Sequence, residues 1–135
     1  DSGAAMQWTA MEDGVPVLRC PRMQISPSEN RIRVSLADVV SAIGDSWILT
    51  DDGNTVVLEA EGYTLGLYNE TAGVAATRDG AELEMNSLDF EFNTEAHYID
   101  VEFWMTAMEG EWEWDQEEQT LILRIPGKER ANATD

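Results

Sequence analysis

Basic residues are scarce in this chain: 8 lysines and arginines stand against 27 aspartates and glutamates, a formal net charge of −19 over 135 residues. A field of that sign repels phosphodiester backbones and anionic lipid headgroups, which argues against nucleic acid and membrane surfaces as partners. Cysteine is nearly absent too. Cys20 alone cannot form an internal disulfide, which fits a cytosolic protein or an exported one that makes little use of disulfides. His97 is the only histidine, so a multi-histidine copper or zinc site is excluded and a Ser-His-Asp triad is disfavoured. No apolar run approaches the ~18 residues a membrane-spanning helix needs, and membrane insertion is not expected.

Apolar residues, by contrast, are plentiful. They make up 43% of the chain and include five tryptophans, enough for one domain with a core. The small polar stretch Asp1-Ser2-Gly3-Ala4-Ala5 reads as the start of a mature or trimmed chain.

The strongest internal signal is a pattern repeated 65 residues apart. Leu36, Val39, Val40 and Ile43 fall at i, i+3, i+4 and i+7, the stripe of an amphipathic helix. Ser35 is its expected cap, with Asp38 three residues on, and Gly44 its expected stop. Adding 65 gives Val101, Trp104, Met105 and Met108, with Asp100 at the cap and Gly110 beyond the end. The correspondence runs on through Trp47 and Trp112, Leu49 and Trp114, Thr55 and Thr120, Val56 and Leu121, and Leu58 and Leu123. Each helix is therefore expected to precede a hairpin: Trp47–Thr50 with Thr55–Ala60, joined by Asp51-Asp52-Gly53-Asn54, and Glu111–Asp115 with Thr120–Ile125.

Further strands are expected at Met6–Met11, Val15–Arg19, Tyr63–Tyr68, Val74–Thr77, Ala81–Met85 and Leu88–Phe92. Pro16 and Pro21 confine the second of these to an edge or its ends. The expected fold class is α+β, a duplicated helix–strand–hairpin unit whose antiparallel sheets wrap against two helices. One domain is expected over residues 1–125, with copy one at 15–60, connecting hairpins at 61–96 and copy two at 97–125. A polar tail follows at 126–135.

The side chains that could carry chemistry each have a plain structural reading beside the functional one. Cys20 lies between Arg19 and Pro21-Arg22, a locally positive setting of the kind that lowers a thiol pKa. His97 is placed to bond Asp100. Alternation along a strand sets Glu111, Glu113 and Asp115 on one face and Trp112 and Trp114 on the other. With Glu117 and Glu118 these acids could form a glycosidase pair or a calcium site, but a solvated strand face is the favoured reading. Asp51-Asp52-Gly53-Asn54 lacks the EF-hand spacing and reads as a turn. The equivalent positions of Trp47 and Trp112 favour core packing for both. Candidate ligand or partner contacts are Trp8, which stands outside the repeat, with Trp112 and Trp114. Asn69-Glu70-Thr71 and Asn132-Ala133-Thr134 match the glycosylation sequon.

The stretch Tyr98-Ile99-Asp100-Val101-Glu102-Phe103-Trp104-Met105-Thr106-Ala107-Met108, followed by Trp112-Glu113-Trp114-Asp115 and Thr120-Leu121-Ile122-Leu123, resembles the copper amine oxidase N-terminal-like domain. Residues 33–58 resemble a weaker copy, and the likeness extends over residues 15–125. The family's Pro-Leu-Arg motif is replaced by Ser35-Leu36-Ala37 and by Asp100-Val101-Glu102, and its Trp-Asp turn persists only at Trp114-Asp115. The resemblance implies a bacterial exported or cell-surface module, with no copper or other cofactor. The expected function is a non-catalytic extracellular module that binds envelope polymer or a partner protein, or that spaces neighbouring domains. The alternative is a glycan-acting hydrolase using acids around Glu111–Glu118.

Overall fold

The computed structural model of the protein describes residues 6–21, 25–28, 31–86, 89–92 and 97–128, with backbone alone at residues 10 and 25–28. Residues 1–5, Arg22, Leu88, the Asn132 sequon and most of the polar tail lie outside the described residues.

In chain order the elements are β1 (Gln7–Glu12), β2 (Val15–Pro21), β3 (Ile25–Ser28), β4 (Arg31–Ser35), α1 (Leu36–Ile43), β5 (Ile48–Asp51), β6 (Thr55–Ala60) and β7 (Tyr63–Glu70). They continue with β8 (Gly73–Arg78), β9 (Ala81–Leu83), β10 (Phe90–Glu91), β11 (Tyr98–Asp100), α2 (Val101–Ala107), β12 (Glu111–Asp115) and β13 (Thr120–Arg124). The strands form three antiparallel sheets, ordered β1-β2-β13-β12, β10-β11-β4-β3 and β5-β6-β7-β8-β9.

The expected α+β class is overturned. Among the described residues the protein is predominantly antiparallel β, and the two helices there are only 8 and 7 residues long. A repeated helix-and-hairpin unit is not its building block either. The hairpin after α1 opens a five-stranded meander, whereas the hairpin after α2 completes a sheet begun by β1 and β2. A third sheet, β10-β11-β4-β3, supplies most of the unexpected strand content, since only β10 falls within an expected run, Leu88–Phe92. In it β4 pairs with β11, Val34 opposite Ile99, and β3 carries Pro27 opposite Ile32.

Both helices start directly from strands of that third sheet. The Ser35 hydroxyl accepts the Asp38 N–H at 3.3 Å, and the Asp100 carboxylate accepts the Phe103 N–H at 3.0 Å, so each helix has a side-chain cap. Gly44, at φ +93°, ends α1 and donates its N–H to the Val40 carbonyl.

One apolar core joins all three sheets and both helices. In the meander, Val56 faces Leu67, Leu58 faces Leu65 and Ala60 faces Tyr63, each pair buried on the same side. Leu18 sits between Trp8 and Leu123 in the β1-β2-β13-β12 sheet, and Cys20 lies beside Leu121. Between these layers runs a chain of edge-to-face indoles, Trp8 on Trp47 at 5.5 Å and Trp47 on Trp104 at 6.0 Å. The Trp47 indole N–H donates to the Glu61 carboxylate at 2.9 Å, which satisfies the one polar atom of that buried ring.

Candidate functional site

The β1-β2-β13-β12 sheet determines where its side chains point. Register puts Trp8, Leu18, Leu123 and Trp112 in one row and Cys20, Leu121 and Trp114 in the next, all on the core side. The two ends of the first row differ. Trp8 lies on β1, is half-buried and is covered by Trp47. Trp112 lies on β12 and is 39% exposed, which corrects the core position expected from its equivalence to Trp47, itself only 2% exposed. Trp114 is half-buried against the core and donates its N–H to Gln116 at 3.0 Å.

Trp112 forms one wall of a groove of about 530 Å³. α2 adds Glu102, Phe103 and Thr106 to its lining, and β4 adds Arg31 and Ile32. Arg31 anchors the polar end. Its guanidinium lies 2.7 Å from Asp89 and 3.4 Å from Asp100, and the hydrogen bond to Asp89 raises its pKa above the ordinary value. Asp100 is the residue that caps α2, so the same carboxylate fixes both the helix and the arginine. Asp89 in turn accepts the Asn86 N–H at 2.9 Å, and its carbonyl accepts the Asp100 N–H at 2.8 Å. The result is a charged rim, fixed by its own hydrogen bonds, beside an exposed indole.

The sequence drew attention to Trp112 but not to the residues it works with. Arg31, Phe103 and Asp89 reach the groove from three separate elements, and only pairing across the third sheet brings them together. A faint signal existed in Arg31-Ile32-Arg33, two of only eight basic residues alternating with an apolar one.

The other singled-out side chains have structural duties. Glu111, Glu113 and Asp115 lie on the outward side of β12, as alternation required. Glu113 pairs with Arg124 at 3.0 Å, and Asp115 accepts the Glu118 N–H at 3.1 Å to shape the hairpin turn. Asp115 and Glu118 line a second groove of about 450 Å³, shared with Arg19 and Thr120. Cys20 behaves opposite to expectation. It is fully buried, Arg19 points to the other side of the sheet to pair with Glu12, and desolvation pushes the thiol up to about 12. His97 does not bond Asp100. Its Nε2 lies 2.8 Å from Asp51, and its ring stacks on Phe90 and meets the edge of Phe92. Asp51 and Asp52 accept N–H groups of Gly53, Asn54 and Thr55, so this acidic segment is a turn.

Among the described residues, no group of three His, Cys, Asp or Glu side chains gathers as a metal site, and no helix is long and apolar enough to cross a membrane. Comparison with protein families, with curated proteins and with solved structures finds no match.

Proposed function

We propose that this chain is a non-catalytic binding module of the cell exterior that engages envelope polymer or a partner protein through the groove between α2 and β12. The observation that carries the reading is Trp112, an exposed indole beside Phe103 and Ile32 in a protein whose other described aromatics are buried or half-buried. An exposed aromatic wall with a fixed polar rim is the usual composition of a recognition surface, because stacking area and orientation come from different groups. Arg31 supports it further, since two carboxylates already hold its guanidinium in place and little side-chain freedom is lost on binding. The resemblance to the copper amine oxidase N-terminal-like domain, a stalk and surface module, agrees with this reading.

The test is retention of the purified protein on isolated bacterial cell walls, on a glycan panel and on extracellular protein fractions, with Trp112→Ala beside the parent. Saturable retention that survives high salt and falls about tenfold or more in Trp112→Ala is the expected result. Equal retention of both proteins on every support would sink the groove as the binding site.

A further inference from the structure

We infer that β12 is an open sheet edge that accepts an extended, basic polypeptide as a fifth strand; this rests on the binding-module reading above and names its partner. Six sheet edges exist among the described strands, and five of them are blunted. The β1 edge carries a register break between Thr9 and Glu12. Pro27 interrupts β3, removing a donor. The β9 and β10 edges are three and two residues long. The β5 edge is four residues, and its last one, Asp51, is held by His97. Only β12 runs five residues without proline, glycine or a break in register, with Glu111, Trp112 and Glu113 exposed. An edge of that kind offers a row of backbone N–H and C=O groups to an added chain.

The side chains of β12 determine what that chain must be. Glu111, Glu113 and Asp115 line the outward side, and the facing strand brings only Arg124 against these three carboxylates. A second copy of the protein, paired edge to edge through β12, would align carboxylate against carboxylate, and like charges directly opposite destabilise a sheet. The net charge of −19 opposes that encounter at longer range. A strand with lysine or arginine at every second residue reverses both effects. Its alternate residues then fall on the core side, beside Trp112 and the mouth of the groove, where Phe103 and Ile32 favour apolar side chains. The partner is thus an extended segment alternating basic and apolar residues. The acids on β12 guard the edge against self-association while selecting a cationic strand, two functions of one charge pattern.

The probe is an alternating lysine–valine octapeptide, with two backbone N-methylated forms, one modified at the lysines and the other at the valines. Strand addition requires N–H groups from only one of those two sets. At low salt the unmodified peptide is expected to bind, one N-methylated form to lose about tenfold or more, and the other to retain most of the affinity. Amide shifts should concentrate on residues 111–115. Glu113→Lys, at an exposed position, is expected to weaken the lysine–valine peptide by about tenfold and to gain a glutamate–valine one. Equal binding by both N-methylated forms would reduce the interaction to charge alone and overturn strand addition, as would no binding by the unmodified peptide. If that failure accompanies Trp112-dependent retention on a glycan or cell wall, the groove remains a binding site and only the strand inference falls. If Trp112-dependent retention is also absent, both fall.

Discussion

The segments that follow α1 and α2 carry the same apolar pattern and come to different ends. After α1, Trp47 turns inward, meets Trp8 and Trp104 edge to face, and donates its N–H to Glu61. After α2, Trp112 sits at the matching position on an edge strand and faces solvent. Both hairpins end their sheets, β5 beyond β6 and β12 beyond β13, so an edge position alone does not separate the two indoles. What separates them is what packs on each ring: Trp47, just ahead of β5, lies between Trp8 and Trp104, whereas Trp112 lines the open groove beside α2. An apolar pattern thus specifies which residues share a side, while the side chains packed over that side decide whether it is core or open surface.

This contrast can be broken by mutation, and the largest expected effect lies at the tryptophans. Trp47→Ala should lose about 3–5 kcal/mol of stability in urea unfolding, the usual result of emptying a packed aromatic site. Trp112→Ala should lose about 0.5 kcal/mol or less, as surface changes do. Comparable losses would erase the distinction between the two hairpins.

The glycines after the two helices sharpen it next. A Cβ at Gly110 would lie 2.6 Å from the Arg124 carbonyl oxygen and 3.0 Å from the Met105 sulfur, so Gly110→Ala should cost about 2–3 kcal/mol through overpacking. Around Gly44 a Cβ meets nothing within 4 Å, and Gly44→Ala should cost about 1–2 kcal/mol from its left-handed backbone alone. The caps should follow the same asymmetry. Ser35→Ala should lose about 1 kcal/mol, and Asp100→Ala about 2 kcal/mol because Arg31 also loses a partner. Asp100→Asn, which keeps the cap, isolates the second contribution.

The smallest effect belongs to the first hairpin turn. The Gly53 N–H, and then the hydrogen bond to His97, hold the Asp51 carboxyl below its ordinary 3.8. A depressed folded pKa stabilises above the unfolded value and is lost as pH falls through the folded one. Stability should therefore decline below about pH 4 by roughly 0.5 kcal/mol on this account, screening being strong for a side chain 42% exposed. Asp51→Asn should remove that part of the acid limb in melts taken between about pH 2 and 5.

Much of the local structure was legible in the sequence. Thr55–Ala60 and Glu111–Asp115 are strands at the expected bounds, and Ser35 and Asp100 cap the helices as their spacing required. The fold class was not legible, for an identifiable reason. Of the β10-β11-β4-β3 sheet only β10 falls within an expected run, Leu88–Phe92; β3 contains Pro27, and no strand was expected at β4 or β11, five and three residues long. What makes them strands is pairing between residues 65 apart, such as Val34 and Ile99, which no local pattern announces. The groove shares that fate, because its arginine, its indole and its capped helix meet only once the third sheet has formed. Cys20 shows the same limit. Its basic neighbours in sequence suggested an activated thiol, but strand alternation turns Arg19 to the opposite side and leaves the sulfur in the core.

The pairing of β2 with β13 sets Cys20 beside Leu121, residues 101 positions apart in sequence by subtraction. A ribosome adding about 5–20 residues per second therefore finishes β2 about 5–20 s before its partner strand exists. Over that interval β1 can cover one side of β2, while the other presents bare backbone and the buried-to-be Leu18 and Cys20 to the surrounding medium. The meander, whose neighbours are all consecutive, is complete well before then. Synthesis order thus leaves β2 waiting longest for its second neighbour, and a chain halted short of residue 120 is left with a sticky, half-dressed sheet.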